Sequence, residues 1–184
     1  MTDKKYNTIF ELASTVVSAI VVISVIFIFG FRISSVDGSS MEPTLQDKDK
    51  LLVSSLNKDY QYKDIVIVAE PNILNEVIVK RVIATEGQWV DVRYDEGLVY
   101  VGDSEDTMEP LDEPYTASLT DEFNFEDKHL YPVQVPAGKV FVMGDNRNDS
   151  TDSRSYRVGF VSEDYILGKV LFRLLPYGDF KIYD

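Results

Sequence analysis

The chain has 184 residues, 45% of them hydrophobic, enough for one domain with a true core and too few for several. It has no Cys and a single His, His129, which rules out disulfides, thiolate chemistry, Cys-based zinc sites and His-rich metal centres, so neither a metal nor any other cofactor is expected. A formal charge of −13 argues against sequence-independent binding to nucleic acid, which needs Lys and Arg to neutralise phosphates.

From Leu12 to Phe31 no charged residue interrupts a run dense in Val, Ile and Phe. As a helix rising about 1.5 Å per residue this run reaches about 30 Å, the thickness of a bilayer's hydrocarbon core. It therefore predicts a transmembrane helix over 12–31, preceded by a short tail over 1–11. A cleaved signal peptide has a shorter apolar stretch followed by small residues, whereas this run leads into Gly30-Phe31-Arg32-Ile33. Lys4 and Lys5 precede the run and Arg32, Lys48 and Lys50 follow it, so the positive-inside rule does not orient the helix.

Beyond Ile33 the apolar residues come in short runs between turn-forming clusters, the pattern of a β-rich domain. Strands are predicted at Lys50–Ser54, Asp64–Glu70, Glu76–Ala84, Gln88–Arg93, Leu98–Val101, Tyr131–Val135, Lys139–Met143 and Lys169–Leu175. Turns are predicted at Glu70-Pro71-Asn72, Glu86-Gly87, Asp95-Glu96-Gly97, Pro136-Ala137-Gly138 and Pro176-Tyr177-Gly178. Ser162–Gly168 reads as a helix, with Ser162 as N-cap, early acids and a terminating Gly. Residues 32–87 and 135–184 are expected to form the core, with 88–134 inserted between them. Within the insertion, acids recur from Asp103 to Asp127 with Lys128 as the only base, which suggests a solvated loop or ribbon, or alternatively a docking surface for basic partners.

Three segments carry chemistry. Ser40 lies in the turn Gly38-Ser39-Ser40-Met41-Glu42-Pro43-Thr44-Leu45, where Gly frees the backbone and Pro43 keeps Glu42 out of helical geometry. Taken alone it could be a plain turn serine. A serine hydroxyl needs a neighbouring base to become a nucleophile, and with one His and no Cys the search turns to lysine. Strand alternation puts Lys80 on one face with Ile78 and Val82, and desolvation between β-branched neighbours favours a neutral amine. The competing reading is a lysine that snorkels to solvent. The third segment, Met143–Arg154, could be a surface loop, a calcium loop or a hydrogen-bonded scaffold. Arg147 and Arg154 oppose a bound cation, and Asp145 and Asp152 can pair with those two Arg side chains.

Ser-Met-x-Pro-Thr-Leu at Ser40–Leu45, Asp-Ile-Val at Asp64–Val66, Val79-Lys80-Arg81, and Gly-Asp-Asn-Arg with Ser-x-Asp-Ser-Arg across Gly144–Arg154 follow an N-terminal anchor in this order. Together they resemble the bacterial type I signal peptidases, membrane-bound Ser/Lys proteases that remove signal peptides from exported proteins. The resemblance implies a mainly β fold: a coiled antiparallel β-sheet catalytic domain with a small β insertion, behind one transmembrane helix. It implies Ser40 as nucleophile and Lys80 as general base, Ser150 as the serine that orients the lysine, and Asp145, Arg147, Asp152 and Arg154 as the bracing network. Met41 would lie near the pocket for the small residue before the scissile bond. The Ser40 N–H would serve the oxyanion, while Gly38 stands where some members add a serine hydroxyl.

The resemblance further implies preproteins and the lipid bilayer as partners, no nucleic acid, a cytoplasmic N-terminus and a catalytic domain outside the cytoplasm; it leaves the oligomeric state open. One departure is the turn after Lys80-Arg81, Ala84-Thr85-Glu86-Gly87-Gln88, where the family commonly has Gly-x-Pro-Gly-Asp. It keeps alive a peptidase dedicated to a narrow set of surface precursors, beside a non-catalytic membrane-tethered paralogue. A self-cleaving repressor with the same dyad would lack the anchor and carry a basic DNA-binding region.

Overall fold

The computed structural model describes residues 2–69, 76–116 and 131–176, and for residues 2–9 the backbone only. The expected turns at Glu70-Pro71-Asn72 and Pro176-Tyr177-Gly178, the acids Asp121, Glu122, Glu126 and Asp127 of the insertion, Lys128 and His129 fall wholly or partly outside these residues.

An α-helix, α1, runs over Thr2–Gly30, beginning upstream of the uncharged run. Its span Phe10–Gly30 has a mean hydropathy of 2.7, and every residue of it before Gly30 is exposed. A helix satisfies its own backbone hydrogen bonds, so apolar side chains can face hydrocarbon at little cost. The helix passes directly into β1 (Phe31–Ser35), which pairs antiparallel with β2 (Lys50–Ser54) from Phe31↔Ser54 to Ser35↔Lys50. The Ser55 N–H donates to the Gly30 carbonyl at 2.9 Å, and a side chain at Gly30 would collide with Leu56. The anchor thus joins the sheet without a linker.

The remaining strands are β3 (Ile65–Val68), β4 (Ile78–Ala84), β5 (Trp89–Arg93), β6 (Leu98–Gly102), β7 (Glu109–Pro110), β8 (Val133–Gln134), β9 (Lys139–Met143), β10 (Val161–Ser162) and β11 (Ile166–Leu175). Among the described residues, seven of the eleven strands form one antiparallel sheet in the order β1-β2-β11-β3-β4-β9-β10, and four form a second in the order β7-β6-β5-β8. Bulges in the pairings of β11 and of β4 with β9 bend the larger sheet.

The core has three apolar clusters. One joins Val66, Val68, Val82, Val140 and Val142; a second joins Met41 and Leu45 to Leu51, Ile65, Ile67 and Val170. The third packs Val90, Val92 and Val99 of the small sheet on Ile83, Phe141 and Met143 of the large one. Burying each such side chain stabilises the fold by about 1.5–3 kcal/mol, so Met41 and Leu45 hold the Ser40 turn on the sheet through apolar contact.

Two expectations are corrected. Ser162–Gly168 is not a helix: only Glu163–Tyr165 forms a single 3-10 turn, Ser162 makes no side-chain cap, and β11 begins at Ile166. Ile166 pairs with Val68 and Gly168 with Ile67, and a side chain at Gly168 would strike the Ser54 backbone. Strand pairing on both sides outweighs the local helix signals. The segment Phe31–Ser35, not foreseen as a strand, is one because β2 offers it a partner.

Candidate active site

Ser40 and Lys80 come together from opposite directions. Ser40 sits in the turn after β1, closed by the Glu42 N–H to the Ser39 carbonyl and the Leu45 N–H to the Met41 carbonyl. Lys80 projects from β4, opposite Val66 of β3. Its Nζ lies 2.7 Å from Ser40 Oγ, and the lysine is only 3% exposed. Burial pushes its amine below the usual lysine range; Arg154 acts in the same direction, while Asp152 and Asp145 oppose it. A lysine amine of lowered pKa can act as a proton acceptor when neutral, and this one is within hydrogen-bond reach of the Ser40 hydroxyl.

Among the described residues the Ser40 N–H has no hydrogen-bond acceptor, leaving it available to a developing oxyanion. Gly38 contributes no hydroxyl, and its own N–H donates to Asp47 Oδ1 at 2.9 Å. Its φ of +93° is a conformation a serine would adopt only under strain, although the space for a side chain is open. A groove of about 690 Å³ opens beside the dyad, walled by Val36, Met41, Ile67, Val79 and Leu167. Met41 lines this groove and is otherwise buried at 1% exposure.

The segment after β9 forms the scaffold beneath the dyad. The Asp152 carboxylate accepts from Arg154 Nε and Nη2, each at 2.8 Å, from the Gly144 N–H at 2.9 Å, and from Ser150 Oγ at 2.8 Å. Burial would raise the Asp152 carboxyl, but Arg154, the Gly144 N–H and Lys80 together hold it below the usual carboxylate range. Ser150, expected from the resemblance to orient Lys80, instead donates to Asp152, and it lies against Gly144, on which the Ser40 carbonyl also rests. A side chain at Gly144 would run into both, so the close approach requires glycine. The Asn146 N–H holds the Ser40 carbonyl at 3.0 Å, and Asn146 Nδ2 holds that of Ser39 at 3.2 Å. Ser39 Oγ donates to Asp149 Oδ2 at 2.6 Å, so this serine serves the loop.

The pairing expected from the sequence holds for Asp152 with Arg154 but not for Asp145 with Arg147. Asp145 accepts a fork from Arg81 of β4, with Nε at 2.8 Å and Nη2 at 2.6 Å. Arg147 turns away to Glu113 of the acidic segment, donating Nη1 to Oε2 at 2.7 Å and Nη2 to Oε1, and its Nε to the Gly144 carbonyl at 3.1 Å. The ring of Tyr115 lies 4.0 Å from the Arg81 guanidinium. The acidic stretch is therefore not uniformly solvated. Asp103, Glu105, Asp106, Glu109 and Asp112 are exposed, but Glu113 is tied in because a buried guanidinium needs a carboxylate. Within a run of acids nothing local marks Glu113 out.

The altered turn after Lys80-Arg81 is intact. Gln88 Oε1 accepts from the Thr85 N–H at 3.0 Å, and Glu86 Oε2 from the Gly138 N–H at 2.7 Å, so an amide oxygen closes the turn in place of a carboxylate.

The family described as "Signal peptidase, peptidase S26" matches residues 9–175. A signal peptidase I of Bacillus amyloliquefaciens is 33% identical over 98% of this chain and 95% of its own length. Signal peptidase I T of Bacillus subtilis strain 168 is 35% identical, over 97% of this chain and 91% of its own. A crystal structure of a signal peptidase I from Enterococcus faecalis V583 is 30% identical, with a TM-score of 0.43, and the match covers 59% of this chain and 94% of that one.

Proposed function

The chain belongs to the peptidase S26 family of signal peptidases, by a match over residues 9–175 and by relatives of similar length, and we propose that Ser40 is its nucleophile and Lys80 its general base. The activity is that of a membrane-anchored serine endopeptidase that removes signal peptides from exported preproteins. The 2.7 Å approach of a buried Lys80 amine to Ser40 Oγ carries the assignment.

Neutral Lys80 takes the hydroxyl proton as Ser40 Oγ attacks the scissile carbonyl, and the oxyanion forms against the Ser40 N–H. The lysine ammonium then gives its proton to the departing amine, leaving an ester on Ser40 and a neutral base. Lys80 deprotonates a water that attacks the ester, and returns that proton to Ser40 as the acyl group leaves. Asp152 supports this cycle by lying close enough to stabilise the transient ammonium without closing on it, since its oxygens are occupied by Arg154, Gly144 and Ser150. Ser150 packs at the Gly144 junction and positions the scaffold about the dyad.

The groove beside the dyad takes the residues before the scissile bond, with Met41 at its wall. The bilayer is the second partner: α1 confines enzyme and signal peptide to one membrane, which raises their effective concentration. With preproteins emerging on the far side, the N-terminus is cytoplasmic and both sheets lie outside.

The test is cleavage of a preprotein by detergent-solubilised protein. Ser40→Ala and Lys80→Ala should each lower the rate by about 10⁴-fold or more. The wild-type rate should climb as pH rises through the lowered Lys80 pKa, since acid protonates the base, and then level off. An active Lys80→Ala enzyme, or a rate flat from about pH 5 to 9, would end the dyad assignment.

A further inference from the structure

The acidic insertion contributes one side chain that the dyad and its scaffold do not explain. Arg147 is only 1% exposed, and the carboxylate that its fork meets comes from Glu113, which lies between β7 and β8 of the small sheet in sequence. We propose that Glu113 is a positioning residue for proteolysis: by gripping Arg147 it fixes the Gly144 peptide against Ser40, Ser150 and Asp152. The proposal rests on the Ser40–Lys80 reading above.

The chain of contacts is continuous. Glu113 holds both Nη atoms of Arg147, and Arg147 Nε holds the Gly144 carbonyl at 3.1 Å. On the other side of that residue the Gly144 N–H holds Asp152 Oδ2 at 2.9 Å, while the missing side chain leaves room for Ser150 Oγ and the Ser40 carbonyl. The Gly144 backbone therefore touches nucleophile, scaffold serine and scaffold acid together. A small displacement there is felt at the reacting atoms, where misplacement by about 1 Å can cost about a hundredfold in rate.

Glu113 is itself held. Tyr115 Oη donates to its Oε1 at 2.8 Å and lies 3.5 Å from Tyr62 Oη, while Tyr62 Oη donates to the Asp112 carbonyl at 3.2 Å. The same short stretch places the Tyr115 ring over Arg81, whose fork holds Asp145. The insertion thus covers both arginines that flank the scaffold.

This position also gives Glu113 an electrical consequence. The charged groups acting on Lys80 are Asp152, Arg154 and Asp145. Those around Glu113 are Arg147, Arg81 and the phenols of Tyr115 and Tyr62, and Arg147 in turn acts on Asp152. Removing the Glu113 charge leaves the positive charge of Arg147 less balanced beside Asp152. Added positive charge disfavours the Lys80 ammonium, so the acid limb of the rate profile moves to lower pH.

The experiment uses the full chain in detergent with a preprotein substrate. Glu113→Gln should lower kcat by about ten- to a hundredfold, leave KM within about twofold, and shift the acid limb downward. Glu113→Asp, which keeps the charge, should restore the limb and part of kcat. In an Arg147→Met background, Glu113→Gln should cost nothing further. Wild-type kcat with an unmoved limb, a loss confined to KM, or a full additional loss on top of Arg147→Met would each overturn the proposal. Should Glu113→Gln not accumulate as folded protein, Glu113→Asp decides: a kcat equal to wild type overturns the proposal and a lowered kcat with an unmoved limb upholds it. Ser40→Ala and Lys80→Ala run alongside, and activity surviving in them would count against the dyad alone.

Discussion

The two sheets use the same ion-pair chemistry in opposite settings. On the small sheet Arg93 reaches Asp91 at 2.8 Å and Glu96 at 3.2 Å and stacks 3.9 Å from the Tyr100 ring, all with the guanidinium open to water. On the large sheet Arg154 and Asp152 form a fork with both side chains fully buried, and Arg81–Asp145 and Arg173–Asp49 are nearly so. Exposed pairs are screened by solvent and carry little stability, whereas a buried charge that loses its partner is left uncompensated in a poor solvent. The small sheet's pairs decorate a surface. Those of the large sheet decide where the reacting groups stand.

The contrast can be broken at graded depth. Asp152→Asn is expected to have the largest effect, because it removes the charge facing Arg154 and weakens the bonds from Gly144 and Ser150. A loss of about 5 kcal/mol in denaturant unfolding should accompany a collapse in kcat. Arg173→Met comes next. It takes away the ion pair with Asp49, whose same oxygen also accepts the Gln46 N–H within the loop that carries Ser40. A loss of about 3 kcal/mol is expected, with kcat reduced more than KM. Arg93→Met should leave both Tm and cleavage unchanged. A marked drop in Tm there would mean that the small sheet depends on its surface charges after all, and the comparison would fail.

Much of the fold was legible because the relevant signals are local. The runs Lys50–Ser54 and Lys139–Met143 are strands over the residues expected, since alternation and bounding turns are properties of a short segment. The same alternation placed Lys80 beside Ile78 and Val82, and the 3% exposure of the lysine follows from it. The failures were equally physical. Ser162–Gly168 carries real helix-start signals, but Ile166 and Gly168 are claimed by β3, and their pairing was not visible from within the segment. Phe31–Ser35 lacks a bounded apolar pattern, with Ile33 68% exposed, and its strand character comes from β2.

The sequence by itself determined the anchor, the scarcity of bases that pointed Ser40 toward a lysine, and the apolar strand that carries that lysine. These depend on composition and on a period of two, which no later packing can alter. Only the tertiary structure decided which acid each arginine meets. Asp145 could equally have paired with its near neighbour Arg147, yet it meets Arg81 across a strand pair, and Arg147 takes Glu113 from the insertion. One carboxylate is chemically as good as another, so the choice falls to whichever the folded chain brings within 3 Å, and that distance depends on every turn between them.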